Sequence, residues 1–194
     1  VLRLPHLERG FPKLANAGYN GTSDATGEVF ADGSYNCIAW AAEDVHHKFW
    51  WPEPGGYWPF YKREVTVIAF IKTFNFLGYI RCKHSRREIG FDKVALYAIH
   101  SSGLPTPVPT DLSDFDDWIP THMARQLPDG TWTSKCGCNE DILHLTLDAL
   151  ESYGIKYDED AYGRDVLYMK RPIFLSWIIR CLQRAHLKYE ALKN

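Results

Sequence analysis

The sequence predicts an α+β domain with a mainly antiparallel sheet packed against helices, and three features carry that prediction. Residues 121–127 and 131–135 are strand-like runs flanking Pro128-Asp129-Gly130, and Asp-Gly between such runs is a strong hairpin signal. Residues 94–99, Val-Ala-Leu-Tyr-Ala-Ile, form an almost continuous apolar run of strand length, as expected of a central strand covered on both faces. Between Glu64 and Leu77, by contrast, Val67, Ile68, Ile71 and Phe74 recur at helical spacing, with Gly78 as the stop.

Taken in order, residues 1–34 carry Pro5, Pro12 and glycines at 10, 18, 21, 27 and 33, the composition of an irregular arm draped over the domain. Asp32, Gly33, Ser34 and Asn36 favour turns and N-caps, and Ile38, Trp40 and Ala41 can bury one helical face. A helix is therefore expected to start at Cys37 and run to about His47. The run Phe49-Trp50-Trp51-Pro52-Glu53-Pro54-Gly55-Gly56-Tyr57-Trp58-Pro59 then forbids regular structure, and its aromatic rings suit the wall of a groove or a plug on the core.

Residues 79–82 read as a short strand and 83–87 as a solvated basic turn. Four prolines and the acidic residues Asp111, Asp114, Asp116 and Asp117 mark 101–120 as a long excursion between strands. After the hairpin, Asn139 is placed to cap a helix containing His144 and ended by Gly154. Residues 164–170 read as a last strand, and Pro172 as the start of a C-terminal helix that is apolar enough at its beginning to be buried.

A chain of 194 residues, 45% of them hydrophobic, is long enough for one domain, with an arm over 1–34, a core over 35–171 and a terminal helix over 172–194. The formal charge of −2 gives no overall basic field, so neither nucleic acid nor an anionic membrane is expected as a partner. Five cysteines form no disulfide framework, and no leader or membrane-spanning run stands out, so the expected setting is soluble, reducing and cytoplasmic.

The chemistry centres on Cys37 and His122. A sulfur in the first turn of a helix meets unpaired N–H groups and the positive end of the dipole, which favour a thiolate. An imidazole can hold the thiol proton as an ion pair and later deliver it to a leaving amine. The hairpin register sets His122 opposite Cys136, with Ser134 one step along on the same face. A third polar group orients the imidazole in such sites, and Ser134, Asn139, Asp141 and His144 are the candidates. Oxyanion stabilisation falls to the Cys37 N–H with Asn36 or Tyr35, and Asn36, Trp40, Trp51 and Trp58 are the candidate substrate-binding residues.

Against this stand the plainer readings, Cys37 as a small buried hydrophobe and His122 as a strand-end histidine on a backbone carbonyl. Cys136-Gly137-Cys138 with His122 and His144 offers zinc-ligand chemistry, but the Cys-x-Cys spacing is tighter than a knuckle and no second knuckle follows. No metal and no cofactor are assigned.

Tyr35-Asn36-Cys37-Ile38-Ala39-Trp40-Ala41, the strand at 93–97, Thr121-His122, the hairpin over 126–135 and Asp141-Ile142-Leu143-His144 resemble an uncharacterised bacterial family over roughly residues 35–150. In order and setting the same residues resemble, more remotely, the papain-like cysteine peptidases and amidases of the NlpC and CHAP types. Those families place a nucleophilic Cys at the start of a helix packed on an antiparallel sheet and a His at the start of a following strand. The resemblance implies Cys37 as nucleophile and His122 as base, in a hydrolase that attacks a peptide or a small amide or ester without a cofactor. The chain lacks the Asp-Cys-Ser type of motif of the cell-wall enzymes and carries an acidic insertion before the His, so it does not carry over their peptidoglycan substrate. The alternative is a non-catalytic protein-binding or toxin-associated domain that uses the aromatic loop as its contact surface.

Overall fold

The computed structural model describes residues 2–22, 33–44, 49–59, 62–137, 139–153, 161–178 and 181. Among the described residues seven strands form one antiparallel sheet, in the order β1 (Tyr19–Gly21), β6 (Asp141–His144), β5 (Trp132–Lys135), β4 (Trp118–Gln126), β3 (Phe91–His100), β7 (Arg164–Pro172) and β2 (Ile80–Cys82). At its centre β3 (Phe91–His100) lies between β4 (Trp118–Gln126) and β7 (Arg164–Pro172), and its residues 93–99 are all buried. Because side chains alternate along a strand, this one run feeds two cores. Val94, Leu96 and Ala98 pack with α2 (Cys37–Ala42) and α3 (Val67–Phe76). Ala95 and Tyr97 pack on the opposite face with Leu7 of α1 (Pro5–Gly10) and with Leu147 and Leu150 of a 3-10 turn.

Local chemistry sets most element ends. Asn36 caps α2, its Oδ1 accepting from Ala39 N–H at 3.0 Å, and Thr66 caps α3 in the same way through Ala69 N–H at 3.2 Å. Gly78 follows α3 at φ 83°, a conformation that favours glycine. The hairpin pairs Gln126 with Trp132 and Arg125 with Thr133 between β4 and β5 (Trp132–Lys135), the start of the register that the Asp-Gly signal predicted.

Elsewhere tertiary pairing overrides the local reading. The helix beginning at Cys37 stops at Ala42 instead of near His47, because Glu43 adopts φ 60° with its carboxylate held by Arg125 at 3.0 Å and Arg171 at 2.7 Å. The arm is not irregular throughout. It contributes α1 and β1 (Tyr19–Gly21), which pairs with β6, and it buries Leu4, Leu7, Phe11 and Leu14. The expected helix after Asn139 is instead β6 (Asp141–His144), which fills the gap between β1 and β5 with Ile142 and His144 inward.

The excursion ends early too, since β4 already begins at Trp118. The pairs Tyr97–His122 and Ala98–Pro120 leave Thr121 as the extra residue of a bulge, a place in a sheet where a proline is tolerated. Pro172 closes β7 rather than opening a helix. Residues 173–178 are helical, but Ile173, Phe174, Trp177 and Ile178 are exposed rather than buried; apart from 181, the rest of the expected terminal helix lies outside the described residues.

Candidate active site

Cys37 is the first residue of α2, which packs on β4 and β5. Where β5 ends, the two faces of the sheet open into one cavity of about 830 Å³. Asn36, Cys37 and Trp51 line it from the α2 side, Leu7, Phe11 and Tyr162 from the other, with Thr121 and Cys136 at the strand ends. Backbone N–H groups of Met123, Cys37 and Ile38 favour a thiolate at the sulfur, yet burial outweighs them and pushes the thiol up to about 11. Cys37 therefore rests as a neutral thiol, not as the ion pair that its helix-start position had implied.

A relay of buried polar groups lies on the Tyr97 and Tyr162 side of the sheet. His144 Nδ1 is 2.8 Å from the Thr146 carbonyl, which only accepts, so the proton sits on Nδ1 and Nε2 is an acceptor. Ser134 Oγ, 3.0 Å away, must donate to that Nε2, and it therefore accepts from His122 Nε2–H, also at 3.0 Å. This assignment leaves a lone pair on His122 Nδ1, which is buried and has no hydrogen-bond partner among the described residues. The ring is clamped between Tyr162, stacked at 4.2 Å and 8°, and the edge of Tyr97 at 5.3 Å. Thr121 Oγ1 donates to the Tyr162 carbonyl at 2.6 Å and fixes that clamp.

His122, Ser134 and His144 are thus brought together as a chain, with Ser134 in the middle. Cys37 meets the same strand one peptide further on, through Met123 N–H, and no hydrogen bond joins its sulfur to the imidazole. Trp51 and Asn36 reach the cavity, but the Asn36 side chain is consumed by its cap and by Trp50, whose carbonyl takes Nδ2–H at 3.0 Å. Tyr35 donates its hydroxyl to Asp141 at 2.6 Å, so neither of these side chains is free to be the second oxyanion donor. Trp40 packs under the Arg125 guanidinium and Trp58 against Phe70, and neither lines this cavity.

Sequence reasoning missed Tyr162, Thr121, Leu7 and Phe11. The one available signal for Tyr162 was Gly163 beside it, where a Cβ would lie 2.0 Å from the Ala98 carbonyl oxygen. That close approach locks Tyr162 against β3. The aromatic loop is braced as well: Trp51 N–H donates to Tyr57 O at 2.9 Å, and Arg63 donates to the carbonyls of Glu53 and Gly56.

Among the described residues no group of three His, Cys, Asp or Glu side chains could hold a metal ion; Cys138 and the pair His46-His47 lie outside them. Among the described residues, too, no helix is long and apolar enough to cross a membrane.

Burial lowers the pKa of His122 well below the usual range, and that of His144 to about 4. Both rings are neutral near pH 7, which supports the tautomers assigned above. Because the unfolded chain protonates near 6.5 and the folded one only at lower pH, stability is unaffected above that value and is lost as pH falls through it. His144 alone accounts for about 3 kcal/mol by pH 4. Urea unfolding between pH 7 and 4.5 should show this loss, and His144→Asn should flatten the slope; an equal slope in the variant would mean that other groups carry the acid sensitivity.

Fold and site together define a mixed α/β domain in which one antiparallel sheet carries helices on both faces, a buried thiol at the start of α2 and a buried His-Ser-His relay. The chain belongs to the family described as "Domain of unknown function (DUF7689)", whose model matches residues 26–170. No curated protein and no solved structure matches the chain.

Proposed function

We propose that this domain is a thiol hydrolase of papain-like arrangement, with Cys37 as nucleophile and His122 as base, acting on an amide or ester bound in the cavity. The observation that carries the reading is the relay, which presents His122 with its Nε2 proton committed to Ser134 and its Nδ1 lone pair unused. Buried polar atoms are rarely left without a partner, and an unused lone pair on a ring stacked against Tyr162, which lines the cavity with Cys37 and Cys136, is the state a general base requires.

In the reaction, Cys37 Sγ attacks the carbonyl carbon as its proton passes to Nδ1, and the Cys37 N–H faces the developing oxyanion. The imidazolium then protonates the leaving amine or alcohol, giving a thioester. Water, deprotonated by the same nitrogen, releases the acid and restores the thiol. The neutral resting thiol means that the proton moves during attack instead of beforehand.

The test is hydrolysis of p-nitrophenyl esters and anilides of small acyl groups and peptides, with peptide mapping of the quenched enzyme. Turnover lost in Cys37→Ala, together with an acyl adduct on Cys37, is the expected result. Unchanged turnover in that variant, or a Cys37 that stays unmodified until the protein unfolds, sinks the proposal. The second outcome favours a binding module, for which the braced aromatic loop, with Phe49 and Tyr57 exposed, supplies the surface.

A further inference from the structure

The cavity beside Cys37 is walled largely by rings. Phe11, Phe49, Trp51 and Tyr162 all line it, and Glu53 is the single lining residue, among those described, that carries a formal charge. Glu43, Glu88, Glu140 and Glu151 are each held by a basic side chain. The Glu53 carboxylate, by contrast, makes no ion pair and no hydrogen bond among the described residues.

Its place is built into the fold through the backbone. The Glu53 carbonyl accepts from Arg63 Nη1 at 3.0 Å and from Gly56 N–H at 3.2 Å, and the same Arg63 nitrogen donates to the Gly56 carbonyl at 3.1 Å. Arg63 is thus occupied by the loop and does not line the cavity. The loop is in turn tied to the thiol's own helix. Asn36, which caps α2 just before Cys37, accepts from Trp50 N–H at 3.3 Å and donates to the Trp50 carbonyl at 3.0 Å. Trp51, Glu53 and Cys37 therefore belong to one braced unit.

A ring presents a negative face, and a carboxylate adds a full negative charge, so this lining complements a cation. An anion would be repelled by Glu53, and a neutral chain would strip water from the carboxylate without replacing it. Charges outside the lining do not reverse this preference. Lys135 stands opposite Asp141 across the strands, His6 pairs with Glu140 and Lys13 with Glu151, and Arg9 lines a separate cavity.

We infer that the cavity takes a substrate bearing an ammonium group, a primary amine or a quaternary nitrogen, seated against the aromatic loop with Glu53 as its counter-charge. This names the substrate class for the hydrolase reading above and rests on that reading for the reaction, though not for the binding.

The experiment measures binding to the Cys37→Ala protein by tryptophan fluorescence. The probes are 6-aminohexanamide, its trimethylammonium analogue, neutral heptanamide and the anionic monoamide of pimelic acid. In parallel, kcat/KM of the wild type is measured on p-nitrophenyl esters of the same acyl groups. The cations should bind about tenfold more tightly than heptanamide, with the anion weakest. Glu53→Gln should remove most of that preference while leaving heptanamide unchanged, and Glu53→Lys should invert it toward the anion. Phe49→Leu, which keeps an apolar side chain but loses the ring, should weaken the cations alone. The stronger of the two cations identifies an amine or a quaternary nitrogen as the natural group.

If all probes bind alike, or if Glu53→Lys leaves their order unchanged, the inference is wrong, and ester turnover then decides the hydrolase reading by itself. If the cations are preferred but no ester is turned over, the site is a cation-binding one and the hydrolase reading falls. Absence of both preference and turnover overturns the two together. Glu53 is exposed, so its variants should fold, and circular dichroism checks this.

Discussion

Replacing Glu43 by alanine is expected to cost about 3–5 kcal/mol of folding stability, the usual penalty for removing one partner from a buried ion pair. Its carboxylate joins Arg125 of β4 to Arg171 of β7, and Arg171 is completely buried. Without Glu43 the Arg171 guanidinium keeps Ser176 Oγ at 2.8 Å, the Leu77 carbonyl at 3.2 Å and the face of Tyr79, but loses the one anion that lies within 4 Å among the described residues. Glu43→Gln preserves the acceptor oxygen and should cost less. The double change Glu43→Leu with Arg171→Met removes both charges and should recover much of the loss. Urea unfolding measures this, and a single-variant cost below about 1 kcal/mol would mean that the pair is not what holds the end of α2.

That ion pair also explains how far the sequence could be read. The start of α2 was legible because Asn36 acts on residues next to it. Its end was not, because Glu43 takes its left-handed conformation while bound to arginines 82 and 128 positions away. The hairpin was legible down to register for the same local reason, and so the meeting of His122 with Ser134 followed from Asp129-Gly130. Residues 140–150 failed in the opposite way. Ile142, Leu143, Leu145, Leu147 and Leu150 are compatible with an apolar helix face, and only the vacancy between β1 and β5 makes 141–144 a strand.

In the arm, Leu4, Leu7, Phe11 and Leu14 carried a helical spacing that the neighbouring prolines and glycines obscured. The far wall of the cavity came from that arm and from Tyr162, both far in sequence from Cys37. No local pattern announces such a wall. Trp58 went astray because an aromatic in a Pro-Gly loop reads the same whether it lines a groove or, as here, plugs the core against Phe70.

The relay makes the sharpest functional prediction. His122→Asn should slow acylation of Cys37 by p-nitrophenyl acetate between about 10² and 10⁴-fold, the range of a general base. Ser134→Ala should approach the same loss without touching the imidazole. It leaves His122 Nε2–H and His144 Nε2 buried without partners, at about 1–3 kcal/mol each, and frees His122 to move its proton to Nδ1, where it can no longer accept one. Ser134→Thr keeps a hydroxyl between the rings and should rescue part of the rate.

Because burial holds the His122 pKa well below 6.5, its base form persists into mildly acid solution. The wild-type acylation rate should therefore have no inflection at the usual histidine pKa and should fall only at lower pH. Stopped-flow measurement of the nitrophenolate burst between pH 5 and 9 decides it. A rate that halves near pH 6.5, or a Ser134→Ala variant acylated as fast as the wild type, would show that the chain of hydrogen bonds is scaffolding and that His122 takes no proton from Cys37.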